Sequence, residues 1–304
     1  MYPLANHFRE GRLQESTVPQ SEPVNVLLST DVGAEIDDQW AIAHLALSPR
    51  VNLLGIVTTH TPYLTAQRSA EIAQEVLNRL PLREKPPVVP GSSTPLESAD
   101  KRQQNEGIAF ILETARRYSP EKPLTLLTIG AATDAASALL LDPSIAQRVR
   151  MVSMAFHSVQ NGGREFNVQN DPKAWQVILE TSVPLTIGSA EMCIRYLTLS
   201  RERAKELFGG ISQAADYLVG LLEWWFAEHS DTCRAVTGKE DAWPIWDETV
   251  TAHLLGLTEV EVLPRPRLLD NLDLEFRSGE DTIRWIKAVH SDALWSDLIA
   301  LLRG

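Results

Sequence analysis

Between Val24 and Gly188, short apolar runs of strand character alternate with segments whose apolar residues recur at helical spacing, and few folds accommodate that rhythm. Val24, Val26, Leu27 and Leu28 read as a first buried strand. Residues 52–59, 124–129, 150–156 and 184–188 read as later ones, with 86–90 a short extended run. Between them, residues 39–47, 65–80, 108–118, 133–141 and 172–180 carry helical periodicity. The expectation is an α/β protein: a mainly parallel sheet covered by helices on both faces. After Ser200 the character changes. Residues 201–208, 214–226 and 250–254 look helical, and 259–264 with 272–276 suggest late antiparallel strands. The 304 residues, 44% hydrophobic, suffice for a large core. No composition break or Gly/Ser linker divides them, so residues 23–304 are expected to form a single domain behind a polar N-terminal arm over 1–22.

The first strand runs into Ser29-Thr-Asp-Val-Gly-Ala-Glu-Ile-Asp-Asp38, which gathers Asp31, Glu35, Asp37 and Asp38 around a glycine. Residues 39–47 follow with helical spacing, so the acids occupy a strand-to-helix loop, where open α/β sheets bind ligands. Carboxylates this close raise one another's pKa and do not all ionise without a positive charge between them. Oxygen ligands without His or Cys suit a hard ion, Ca²⁺ before Mg²⁺. Capping of the next helix explains one Asp, not four acids.

Three later segments offer polar groups where such a sheet presents them. Ile129-Gly-Ala-Ala-Thr-Asp134 ends a strand and opens a helix; a backbone carbonyl there could join a metal shell, with Gly130 permitting close approach, or Thr133 or Asp134 simply caps the helix. Asn161-Gly-Gly-Arg-Glu-Phe-Asn167 precedes a helix that Asp171 and Pro172 begin. Its Asn161, Glu165 and Asn167 combine donors and acceptors, as a polyhydroxylated ligand requires, although a polar surface loop has the same composition. Trp243-Pro-Ile-Trp-Asp-Glu248 leads into an apolar helix, making Asp247 either an N-cap or a further metal ligand.

The net charge of −12 and the lack of Lys/Arg runs argue against nucleic-acid polymers and leave a small, neutral ligand as the easier partner. Cys193 and Cys233, far apart and without C-x-x-C spacing, read as reduced thiols of a cytoplasmic protein. No signal-type apolar region opens the chain, and no window reaches the ~18 apolar residues of a membrane span, so no membrane partner is expected.

Together these residues resemble the nucleoside hydrolase family, the inosine-uridine-preferring enzymes and their relatives, from about Val24 to Leu254. The family writes its opening motif D-x-D-P-G-x-D-D-A; this chain has S-T-D-V-G-A-E-I-D-D-Q-W-A, with two additional residues before the Asp pair. The resemblance implies a Rossmann-like nucleoside hydrolase fold with extra C-terminal helices, and a Ca²⁺-dependent N-ribohydrolase acting on a small ribonucleoside. By it, Asp31 is a Ca²⁺ ligand and the base that deprotonates the attacking water, Asp38 a bidentate ligand, and Asp37 a ligand for a ribose hydroxyl. I-G-A-A-T-D resembles the family's L-G-P-L-T-N, making the Ile129 carbonyl a metal ligand. Glu165 and Asn167 match the ribose-binding E-F-N, with Asn161 beside them, and Asp247 matches the late Ca²⁺ ligand. Relatives are commonly dimers or tetramers, and nothing in this chain specifies an interface.

The departures are specific. Ser29 replaces the motif's first Asp, and Tyr63 stands near the position of a family Asn that follows the second strand. Trp246 precedes Asp247 where pyrimidine-accepting members often carry His and purine-preferring members an aromatic ring that stacks on the base. No second Trp lies in 90–107 to complete a sandwich. The chemistry such a site must perform is defined: N-glycoside hydrolysis passes through an oxocarbenium-like sugar and needs an activated water, nearby negative charge and help for the leaving group. His60, His157 and Trp246 are the candidates on the leaving-group side, while Trp40, Trp175, Trp224 and Trp225 read as helix-packing residues. Three other readings compete. A relative that binds metal and ribose without turnover fits Ser29 and the absent Asn; a hydrolase of a ribosylated natural product fits the unusual base pocket. An aspartyl-phosphate phosphatase fits poorly, since Gly33 replaces the second acid of its motif and no basic phosphate clamp is evident.

Overall fold

The computed structural model describes residues 22–279 and 281–304; the arm expected over 1–22 lies, Glu22 excepted, outside them. One eight-stranded sheet organises the chain. Its strands are β1 (Val24–Thr30), β2 (Val51–Thr58), β3 (Val88–Pro90), β4 (Leu124–Thr128), β5 (Val149–Met154) and β6 (Leu185–Gly188), joined by two late strands. Two ribbons add β7 (Thr198–Ser200) with β8 (Ala242–Pro244), and β10 (Pro266–Leu268) with β11 (Leu274–Phe276). The late strands of the main sheet are β9 (Thr258–Pro264) and β12 (Thr282–Val289), giving the order β3-β2-β1-β4-β5-β6-β12-β9. Every neighbouring pair is parallel except β12 with the edge strand β9.

The helices are α1 (Asp37–Leu47), α2 (Ala66–Arg79), α3 (Glu106–Ala115), α4 (Thr133–Leu141), α5 (Phe166–Asn170) and α6 (Pro172–Leu179). They continue with α7 (Ala190–Tyr196), α8 (Arg201–Phe208), α9 (Gln213–Glu228), α10 (Ser230–Thr237), α11 (Glu248–Leu254) and α12 (Ser291–Arg303). Side chains alternate across β1: Val26 and Leu28 face a core shared with α1, α2 and the later helices, while Leu27 faces a second core built on α3, α4 and α6. The layers are those expected, and the C-terminal additions include α12. Trp40, Trp175 and Trp225 are buried in these cores, whereas Trp224 is 52% exposed.

The late region differs from the sequence reading. Residues 259–264 form β9 inside the main sheet, but residues 272–276 contribute only β11, paired antiparallel with β10. The strand between β6 and β9 is β12, whose charged positions (Arg284, Lys287) sit among buried Ile283, Trp285 and Ile286 with a register shift near Ile286, so no clean alternation marks it.

This order reverses direction between β1 and β4, the topological switch point where open α/β sheets form a crevice at their carboxyl ends. Asp31 follows β1 and Ile129 follows β4, and the two loops touch: the Ile129 N–H donates to the Ser29 carbonyl at 2.8 Å. A Cβ on Gly130 would lie 2.7 Å from the Asp31 nitrogen, so only glycine lets the loops close this far. Gly33 turns the acidic loop at φ +103°, a conformation closed to other residues.

Candidate active site

Six carboxylates, Asp31, Glu35, Asp37, Asp38, Glu165 and Asp247, line one cavity of about 360 Å³ above this crevice, within the range of small-molecule sites. Asp37 and Asp38 are not caps. Ile36 takes the N-cap position of α1 with no side-chain cap, and both acids enter the first turn, of a helix buried from Asp37 through Leu45. Asp247 likewise makes no capping bond to α11. One carboxylate oxygen from each of Asp37, Asp38 and Asp247 lies within 4.8 Å of the others. Asp31 stands outside that triad but lines the same cavity, as does Ile129.

Burial raises the Asp31 carboxyl well above its usual range, and the charges of Asp38 and Asp37 raise it further. Asp37 and Asp247 are raised for the same reasons, burial first and neighbouring acids next. Asp38 is pushed up to about 7 by burial, opposed by the hydroxyl of Thr30, which donates to its Oδ1. The buried Oδ2 atoms of Asp31 and Asp247 have no hydrogen-bond partner among the described residues. Desolvated, mutually repelling oxygens without protein donors fit a hard cation, which would neutralise them and occupy their lone pairs.

The loop after β5 supplies the next part of the wall. Phe156 holds φ +65° there, a strained conformation for a bulky residue, and anchors the turn by packing 4.9 Å from Trp175. Glu165 accepts from the Asn167 and Val168 N–H groups at 2.8 and 3.0 Å, capping α5; burial nevertheless pushes it up to about 7. Asn167 donates to the Met154 carbonyl at 3.2 Å and lines the cavity. Asn161 is placed differently from the sequence expectation. Its N–H turns back to Ser158 Oγ at 3.0 Å, which leaves the side chain exposed, outside the cavity lining and 3.1 Å from His157 Nδ1. His157 does line the cavity; His60 does not, and its Nε2 instead lies 3.0 Å from Thr133 Oγ1, within a network anchored on Asp171.

Ala34, Ile194, Ala235, Val236 and Trp246 give the cavity an apolar wall. The Trp246 indole N–H donates to Glu35 Oε2 at 3.1 Å, and its ring meets Trp243 edge-on at 5.6 Å. Tyr63 is 67% exposed with its ring 6.4 Å from Phe166 at the rim. Ala235 and Val236 arrive on α10, whose sequence gave no signal of a site.

An ion network, buried at His44 and Glu248, braces the two helices that carry Asp37, Asp38 and Glu248. His44 of α1 places Nδ1 2.8 Å from Glu248 of α11 and Nε2 3.0 Å from Asp297 of α12, which also pairs with Arg50 at 2.7 Å. The sequence offered no hint of it, because its members are distant along the chain. Although burial opposes the charge, Glu248 and Asp297 raise His44 from 6.5 to about 9. A raised histidine stabilises fully below its unfolded value, so its contribution, on the order of 3 kcal/mol, is present below pH 6.5 and lost as pH rises through about 9. Denaturation of wild type and His44→Gln across this window is expected to show a stability gap that closes on the alkaline side; a gap independent of pH would exclude a charged His44.

An acid-lined cavity at the switch point of a parallel sheet defines an α/β protein with a site able to hold a cation beside a small ligand. The family model for inosine-uridine preferring nucleoside hydrolase matches residues 26–293, and the chain belongs to that family. An uncharacterized protein of Schizosaccharomyces pombe is 32% identical over 60% of this chain and 66% of its own length. Uridine nucleosidase 1 of Arabidopsis thaliana is 27% identical over 53% of this chain and 55% of its own. The inosine-uridine preferring nucleoside hydrolase of Crithidia fasciculata is 26% identical over 56% and 61%. The matches thus span between about half and two thirds of these relatives. Among solved structures, a plant nucleoside hydrolase superposes with TM-score 0.75 at 19% identity, covering 93% of this chain and 99% of that one. A purine-preferring ribonucleoside hydrolase from Gardnerella vaginalis gives 0.76 at 16% identity over 92% and 98%; at these identities the likeness is one of fold.

Proposed function

We propose that the protein hydrolyses the N-glycosidic bond of a ribonucleoside to free base and ribose, with Ca²⁺ as cofactor and Asp31 as general base. The observation that carries this reading is the convergence of Asp37, Asp38 and Asp247 oxygens within 4.8 Å beside Asp31, in a cavity of nucleoside scale, within a chain of this family. Asp31, Asp38, Asp247 and the carbonyl of Ile129 would hold the cation, which would supply acidification and orientation of the attacking water. Asp31 takes the proton from that water. Asp37 shares the triad, so it would serve the cation as well as a ribose hydroxyl. Asn167 receives the sugar from the α5 side, while Glu165 acts mainly by holding the start of that helix and contributing negative charge near the oxocarbenium-like carbon. Asn161 contributes through His157.

The apolar wall and Trp246 favour a purine or a modified base that leaves from a stacked position; the Gardnerella relative is named as purine-preferring, the Crithidia relative as preferring inosine and uridine. Trp246→Ala is expected to lower kcat/KM roughly tenfold for inosine and guanosine and much less for uridine, read by chromatography of the released base. Equal losses for both classes would remove stacking from the account. Two buried free thiols, Cys193 and Cys233, suit a cytoplasmic setting, and no described helix is long and apolar enough to cross a membrane. A homodimer or homotetramer is the expected assembly by family.

A further inference from the structure

Glu35 has no role in the reading above. It comes from the stretch of the acidic loop that exceeds the family's motif, lines the cavity, and stands outside the triad formed by Asp37, Asp38 and Asp247. Its Oε2 accepts from the Trp246 indole at 3.1 Å, and among the described residues no Lys, Arg or His pairs with it. Its neighbours in the lining include Ala34 and the apolar wall, while Asp38 and Glu165 repel it. A half-buried carboxylate has acceptor capacity that the Trp246 indole N–H, even with the Trp243 indole as a second donor, does not fill. The same indole belongs to the ring proposed to lie against the base, so the free acceptor capacity sits at the edge of that base.

We infer that Glu35 is a specificity-determining residue that accepts a hydrogen bond from an N–H of the leaving base, so that the site selects aglycones presenting a donor edge beside Trp246. The inference rests on reading the cavity as a ribonucleoside site. It names a chemical class: heterocycles with a ring N–H or exocyclic amino group, preferred over those offering only acceptors. Charge and geometry act together, because a half-buried acceptor that a bound, donor-free base cuts off from water and leaves unpaired costs binding that no other group in the apolar wall restores.

The probes are paired nucleosides that differ at the donor. Inosine has a ring N–H and a 6-oxo group, and purine riboside lacks both, with no added bulk; uridine and 3-methyluridine, which differ at N3 alone, form a second pair that isolates the donor. Dissociation constants by calorimetry and kcat/KM by base release are measured for wild type and Glu35→Gln, which keeps an acceptor for Trp246 but turns its other terminus into a donor. Comparing ratios between the two proteins cancels the intrinsic reactivity of each probe. The donor-over-donor-free ratio is expected to fall at least about tenfold in Glu35→Gln for both pairs, in binding and in turnover. Unchanged ratios overturn the inference. Loss of bound calcium in Glu35→Gln also overturns it, by placing the carboxylate on the cation. If wild type binds the probes with the expected ratio yet releases no base, the hydrolase reading fails while the role of Glu35 stands; if no probe binds, both fail.

Discussion

Replacing Asp38 with alanine is expected to abolish stoichiometric calcium binding and to lower ribonucleoside hydrolysis by roughly 10³-fold or more. Asp38 is the acid with the most constrained setting: it lies in the first turn of buried α1, takes the Thr30 hydroxyl on Oδ1, and shares a 4.8 Å triad with Asp37 and Asp247. Without it the proposed shell loses its bidentate carboxylate, and Asp31, Asp37, Asp247 and the Ile129 carbonyl are too few to replace the water shell of a hard ion that takes about 6 to 8 oxygens. The substitution also removes one of the repelling charges that raise Asp31, Asp37 and Asp247, so the protein is expected to stay folded and the loss to be specific to the site. Calorimetric titration with Ca²⁺, beside circular dichroism, reads both. Stoichiometric calcium in the variant would contradict the assignment of the triad.

Asp31→Asn separates proton transfer from cation binding. Asparagine preserves the volume against Gly130, where a Cβ would lie 2.7 Å from the Asp31 nitrogen and 2.9 Å from its carboxyl, and it keeps one oxygen for the cation. It has no basic site for the water's proton. The expected result is a drop in kcat of about 10²- to 10⁴-fold with a smaller change in KM and weakened but measurable calcium binding. A variant that loses calcium entirely would make Asp31 chiefly a ligand, and one with wild-type kcat would remove it from the chemistry.

The first half of the fold was legible because its strands are apolar runs that end in polar turns, and the carboxyl-edge loops of β1, β4 and β5 follow directly from that pattern. The acids of residues 31–38 announced themselves by density alone. Distance along the chain hid the rest. Nothing local in Asp247 tells a helix cap from a site residue; the absence of any capping bond does, and only the fold brings it to Asp37 and Asp38. Glu165 and Asn161 show the converse. Both carry suitable chemistry, but Glu165, while lining the cavity, also gives each oxygen to an N–H group that opens α5, and the Ser158 turn directs Asn161 outward onto His157. The strand β12 escaped notice because its charged and buried positions do not alternate cleanly, and the brace of His44, Glu248 and Asp297 because its members lie on α1, α11 and α12.

The most direct test is release of reducing sugar from a panel of purine, pyrimidine and modified ribonucleosides, measured with Ca²⁺ present, after chelation, and after Ca²⁺ is restored. The proposed hydrolase releases ribose in stoichiometry with free base, loses that activity on chelation and regains it with calcium. A protein that binds calcium and nucleoside yet releases no ribose, or that releases it equally well in chelator, would contradict the mechanism proposed for this site.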